Sequence, residues 1–351
     1  MSTALKFNAE NIGMTDDELE RMCLPQYTGT SVWAYWTSEV YSFGKCLRFW
    51  AKYPRMLPLY VYSDHGVGMH AKLFSHELEN KAKVHLTWNS MKEKKYKDFA
   101  DKKVIQIICP WIPYRKLKGI SCSPNPRGTL AFFEHHVPSY EVKGHDTEEY
   151  FAKLRNLPEK FQPVVLCLHM HDVNAGHHKN LRQHGFPIVT AGNSSGVNFV
   201  DHFYDQIKDY AYATSQSWGS QTAYCVELGI PYFFMGEIPT VINHSDEELP
   251  LGVLQGYYDT EHEEYDKKAE ALFRSAVDSV TNEQRAFVES LLGFDSKITR
   301  EQVSRILWRE FFRHWLKWHL IFKFMLVVIF RKMGCWELIK RFIRYFKRSK
   351  F

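Results

Sequence analysis

One rhythm limits what this chain can fold into. Short apolar runs recur through its first two thirds, each followed by a polar turn and then by a stretch of helix length. Residues 57–62 (LPLYVY), 84–88 and 104–109 (VIQIIC) make a first series. Residues 129–133, 163–168 (PVVLCL), 186–190, 210–214 and 230–235 make a second. Runs this short, rich in β-branched and aromatic residues, read as buried strands. Strands that alternate with helices favour parallel sheets joined by right-handed crossovers. The expected fold class is α/β, with two such sheets.

The intervening segments carry helix signals. Residues 31–53 read as helical and amphipathic, and 197–208 and 220–228 as helices. Thr147 stands as an N-cap before 148–157, and Gly185 and Gly229 follow helical stretches in the usual terminating position. Residues 110–127 hold four prolines and read as an irregular inter-domain connection. Residues 236–262 read as an acidic loop, followed by helices over 261–276 and 282–292. A chain of 351 residues accommodates two ordinary domains. The expected division is 1–125, 126–300 and a tail over 301–351.

Charge is uneven along the chain. Residues 301–351 carry thirteen Lys/Arg against three Glu, a net +10, so the first 300 residues carry −5. Such asymmetry points to an anionic surface. The tail interleaves its cations with aromatic rings: Arg309, Trp315, Lys317, Trp318, Lys323, Arg331, Lys332, Arg341 and Arg344 define a basic face beside an aromatic one. That is the pattern of an interfacial helix. The longest uncharged stretch at its centre, 324–330, is seven residues, whereas a spanning helix needs about 20. The expected partner is therefore an anionic membrane surface, with no nucleic acid, since no nucleic-acid motif accompanies the charge. Seven cysteines occur without a CxxC pair, and the N-terminus is polar and acidic rather than a secretory signal. Both features point to a reducing, cytoplasmic setting.

In open parallel sheets, ligands bind beyond the carboxyl ends of the strands. The polar residues placed there are Asp64 and His65; His135, His136 and Ser139; His169, His171 and Asp172; Gly192; and the segment 214–222, with Ser215, Ser217, Gly219, Ser220 and Thr222. In that last segment, small residues open a helix whose free N–H groups suit a phosphate, and Glu227 lies two turns on. It is not a Walker A loop. The spacing His169-x-His171-Asp172 suggests metal ligation only weakly, no DxD occurs, and no metal or cofactor is expected.

These elements carry a resemblance. The strand, Ser/Gly/Thr turn, Glu-bearing helix and Leu228-Gly229-Ile230-Pro231 resemble the donor-site half of GT-B fold glycosyltransferases and the related sugar-nucleotide 2-epimerases. The run GTLAFFEHH resembles their strand ending in a His-bearing loop, which maps onto His135 and His136. The phrases SDHG, LPEKFQPVVLCL, GFPIVTAG and ELGIPYFF are similar to a group found in bacterial surface-polysaccharide clusters. The order His135-His136-Val137-Pro138 departs from the His-Pro dipeptide of bacterial sialyltransferases.

The resemblance implies two Rossmann-like domains facing a central cleft, with C-terminal amphipathic helices. It implies a metal-independent glycosyltransferase that takes a UDP- or CMP-sugar as co-substrate and extends a lipid-linked bacterial glycan, such as lipopolysaccharide or capsule, at the inner membrane. The nucleotide-sugar would meet His135, His136, Ser139, His169, Gly192, Ser215, Ser217, Gly219, Ser220, Thr222 and Glu227. Asp64 would act as the base, with His65 second. Two other readings stand beside it: a sugar-nucleotide epimerase, and a non-catalytic membrane-tethered assembly scaffold.

Overall fold

A computed structural model of the chain describes residues 12–25, 33–69, 71–96, 102–133, 139–143, 147–246, 251–253, 260–315, 318–337 and 340. His135, His136, Lys317, Arg341 and Arg344 lie outside the described residues. The fold is α/β, built on two parallel sheets and one small antiparallel sheet.

The first parallel sheet has three strands, β1 (Tyr62–Ser63), β2 (Val84–Thr87) and β3 (Lys103–Gln106), side by side in chain order. The LPLYVY run pairs only at its end. Tyr62 and Ser63 register with His85 and Leu86, and Pro58 upstream has no N–H to offer a ladder. The second parallel sheet comprises β4 (Thr129–Phe132), β6 (Val164–Cys167), β7 (Ile188–Val189), β8 (Tyr212–Ser215) and β9 (Tyr232–Phe234), in the order β7-β6-β4-β8-β9. Strands are added to one side of β4 and then, from β8 on, to the other, so the strand order reverses between β4 and β8, which is where a doubly wound sheet opens a crevice. Between β4 and β6 comes β5 (Tyr140–Lys143). It pairs antiparallel with β10 (Thr240–Asn243), and β10 pairs with β11 (Gly252–Val253). Residues 236–262, expected as loop, thus contain two strands. Their alternation is too short to show as a period, and their partner β5 is about a hundred positions away.

Two other local expectations change. The Pro-rich segment 110–127 holds a helix, Trp111–Leu117, with Pro110 at its N-cap. Proline is tolerated at that end because the first helical N–H groups lack partners anyway. The amphipathic stretch 31–53 is not one helix. A short turn, Val40–Ser42, precedes the helix Phe43–Ala51, and Tyr41 and Ser42 are both left-handed, with φ of 52° and 59°.

Two segments cross the sequence division. Residues 12–25, at the start of the chain, pack on the second sheet. The Met14 N–H donates to Ile188 O at 2.8 Å, and Asn193 Nδ2 donates to Cys23 O at 2.8 Å. At the other end, helix Arg300–Trp315 returns to the first sheet. Thr299 and Gln302 cap it reciprocally. Val303, Leu307 and Phe311, one turn apart, are buried against Leu47, Tyr53 and Ile105. Fully burying one such side chain contributes about 1.5–3 kcal/mol. Tyr60 stacks on His314 at 4.3 Å. The cations Arg309 and Arg313 point outward from the buried carboxylate of Glu310, at 3.0 and 2.8 Å. The beginning of the basic tail is therefore part of the body.

Helix Trp318–Lys332 follows. It carries Lys323 and Arg331, and Trp315 ends the helix before it. Met325, Ile329 and Met333, also one turn apart, are exposed. No helix among the described residues is long and apolar enough to cross a membrane.

A candidate ligand site at the edge of the second sheet

A cavity of about 400 Å³ opens at the carboxyl ends of β4, β6 and β7 and at the start of helix Ser220–Leu228. From the second sheet it takes Phe132, Phe133, Cys167, Leu168, His169, Thr190, Ala191 and Gly192, followed by Trp218, Gly219, Ser220 and Gln221. From the first half of the chain it takes Tyr41, Phe43, His65 and Trp111. The two halves touch through hydrogen bonds. Ser220 Oγ accepts from the Val67 N–H at 2.9 Å, and Trp218 Nε1 donates to Val67 O at 3.2 Å. Gly66 lies close enough that a Cβ there would meet Ser220 Oγ at 3.2 Å.

Aromatic rings dominate the wall. Trp111 stacks on Tyr224 with centroids 4.4 Å apart, and Phe43 stacks on Trp88 at 5.0 Å. No lysine, arginine or carboxylate is among the described residues that line the cavity. Its polar groups are two histidines, the Tyr41, Thr190 and Ser220 hydroxyls, Gln221 and the helix start. In the first turn the Ser220 and Gln221 N–H groups have no carbonyl one turn earlier in the helix. Gly229 ends that helix in the left-handed region, φ 105°, and its N–H returns to Cys225 and Val226.

The structure brings His65, His169, Gly192, Gly219 and Ser220 together at this cavity. It places the others elsewhere. Ser215 is buried and donates to Ser217 O at 2.6 Å, so its hydroxyl shapes the turn. Thr222 is buried, and its hydroxyl accepts from the Gly219 N–H at 3.4 Å. Ser139 lies beside the antiparallel sheet, where its carbonyl accepts from the His244 N–H. Glu227 accepts two hydrogen bonds from Arg115, at 2.6 and 2.8 Å, and clamps helix Trp111–Leu117 to helix Ser220–Leu228. Its carboxylate is occupied by a bidentate partner rather than turned to the cavity.

Asp64 is engaged in the same way. Its carboxylate accepts from His85 Nε2 at 2.9 Å, Thr87 Oγ1 at 2.6 Å and Lys92 Nζ at 3.0 Å. Lys92 also reaches Glu77 at 3.0 Å. Burial pushes the Asp64 carboxyl up, but the Lys92 ammonium, His85 and Thr87 outweigh it and hold the group well below the usual carboxylate range. Asp64, Glu77 and His85 are close enough to share a cation, and the Lys92 ammonium fills that role. A carboxylate bound this tightly is a poor proton acceptor.

His65 lines the cavity with its ring 4.8 Å from that of Trp36. Burial pushes its imidazole down to about 4 against the pull of Asp64, so it is neutral near pH 7. Burial raises the Cys167 thiol to about 12, which leaves it inert.

Sequence reasoning included Gln221 and Trp218 in the segment 214–222 but missed Tyr41 and the rest of the aromatic wall. Phe132 and Phe133 end a strand and were open to detection by position. Tyr41 was not, because its left-handed turn contains no glycine and the surrounding run has helical periodicity. Two adjacent non-glycine residues in that region cost on the order of 1–3 kcal/mol each and persist only where the surroundings dictate them.

The class these features define is an α/β chain with a cavity at the carboxyl ends of its parallel strands, beside a strand-order reversal. No protein-family model, curated protein or solved structure matches it.

Proposed function

We propose that this chain is a metal-independent glycosyltransferase of the two-domain GT-B kind. It would bind a UDP- or CMP-sugar in the cavity and pass the sugar to a lipid-linked bacterial glycan on the inner face of the plasma membrane. One observation carries the reading: a helix start, Gly219-Ser220-Gln221, and a wall of aromatic rings meet at the strand-order reversal, and the His65 loop of the other sheet closes over them. The helix N-terminus suits a phosphate. The rings suit a base or a sugar face. His65 suits the proton that the acceptor hydroxyl must lose as its oxygen bonds to the sugar carbon and the nucleotide phosphate departs. At the membrane, Met325, Ile329 and Met333 would enter the lipid boundary, with Lys332 exposed beside them for anionic headgroups.

The test is a thermal-shift panel of the full chain against UDP, CMP, GDP and their common sugar conjugates. A ligand at 100 times its dissociation constant stabilises by about 2.7 kcal/mol. One nucleotide is expected to raise the midpoint selectively, and His65→Gln is expected to keep that response while losing sugar transfer. If no nucleotide raises the midpoint, the reading fails and the scaffold alternative takes its place.

A further inference from the structure

Everything around the turn Tyr41–Ser42 fixes where the Tyr41 ring goes. The Tyr41 N–H donates to Ser194 O at 2.6 Å, and Trp111 Nε1 donates to Tyr41 O at 3.0 Å. Ser42 Oγ lies 3.0 Å from the carbonyls of Gly196 and Val197 and accepts from the Val200 N–H at 3.2 Å. Held in this left-handed pose, the ring stands in the cavity, 5.1 Å from the ring of Phe199. Its hydroxyl is 3.3 Å from His169 Nε2.

His169 sets the direction of the proton. It caps the short helix Met170–Asn174, and its Nδ1 accepts from the His171 N–H at 3.3 Å. A neutral imidazole that accepts at Nδ1 carries its hydrogen on Nε2. That hydrogen points at the Tyr41 oxygen, which is then the acceptor of the pair. The phenol's own hydrogen is left to turn toward the cavity.

We propose that Tyr41 is a ligand-facing hydrogen-bond donor of this cavity, that His169 is its positioning residue, and that the group it meets is an anionic phosphate oxygen. The ligand's identity rests on the nucleotide-sugar reading; the orientation of the pair does not. Burial raises the Tyr41 phenol, so it keeps its hydrogen across the physiological range. The start of helix Ser220–Leu228 lines the same cavity, so a phenol and backbone N–H groups hold the oxyanion together. They supply what a lysine or arginine would otherwise supply.

Two measurements on the full chain decide it. In the first, the protein is labelled with 15N-histidine, and the His169 signals are assigned by their loss in His169→Asn. The expected pattern is the Nε2–H tautomer, with a shift in Tyr41→Phe. An Nδ1–H pattern, or no shift, overturns the pair. In the second, CMP and UDP are titrated calorimetrically onto wild type and Tyr41→Phe. Whichever nucleotide binds is expected to bind the variant about tenfold more weakly, the loss of one charge-assisted hydrogen bond, with the unliganded unfolding midpoint little changed. Equal affinity overturns the donor role and leaves the nucleotide reading standing. If neither nucleotide binds wild type, the phosphate assignment and the nucleotide reading fall together, and the His169 spectrum alone decides the pair.

Discussion

Behind the first sheet, Asp64, Glu77, His85 and Lys92 meet one another; at the edge of the second, His169, Thr190, Ser220 and Gln221 meet a cavity. Asp64 and His169 each follow an apolar strand, and both were expected at a ligand site. In the first, two carboxylates and an ammonium are withdrawn from water together, and each cancels what another could do. In the second, the groups make their hydrogen bonds at the border of open space. Burial of mutually paired charges makes a rigid support, whereas polar groups that line open space leave room for a ligand. The Glu227–Arg115 clamp belongs with the first kind, although it lies on the same helix that opens the cavity.

That contrast breaks most readily at Lys92. Lys92→Met leaves Asp64 and Glu77 buried without their cation and is expected to destabilise by about 3–5 kcal/mol in urea unfolding. A loss under about 1 kcal/mol would mean that the cluster is not the support described. The tail offers the next largest effect. Leu307→Ala removes a buried side chain from the face packed on the first sheet and is expected to cost about 2–5 kcal/mol. Truncation after residue 315 is expected to leave the unfolding midpoint near wild type and to abolish sedimentation with anionic liposomes. If the truncated chain still sediments, the lipid contact lies elsewhere.

Acid separates the two regions in another way. The His65 imidazole binds its proton at about 4 in the folded chain and at 6.5 ordinarily, so the unfolded chain takes up protons first. Stability is expected to fall as pH drops from about 6.5 to about 4. His65→Gln should flatten that part of the profile. Asp64, whose carboxyl is depressed, contributes stability above the ordinary carboxylate range, and that contribution is lost only at lower pH. A profile unchanged by His65→Gln would remove His65 from the buried edge of the cavity. The smallest effect is expected at the seam between the halves. Ser220→Ala deprives the Val67 N–H of its acceptor and should cost about 1 kcal/mol by equilibrium unfolding.

The sequence by itself determined the repetitive part of the fold. Apolar runs marked β2, β3, β4, β6 and β9 because a strand covered on both faces is largely apolar, and Gly229 marked a helix end because few other residues adopt that conformation. It also placed His65, His169, Gly192, Gly219 and Ser220 near the carboxyl ends of strands, where the cavity proved to be. The tertiary structure alone decided which polar residues find one another. Asp64 and Lys92 are 28 positions apart, Glu227 and Arg115 are 112, and Tyr41 and His169 are 128. It alone decided that residues 300–315 dock on the body while Met325, Ile329 and Met333 remain outside, since both stretches show the same four-residue spacing. Periodicity records which face of a helix is apolar. What covers that face depends on contacts that no local stretch of sequence contains.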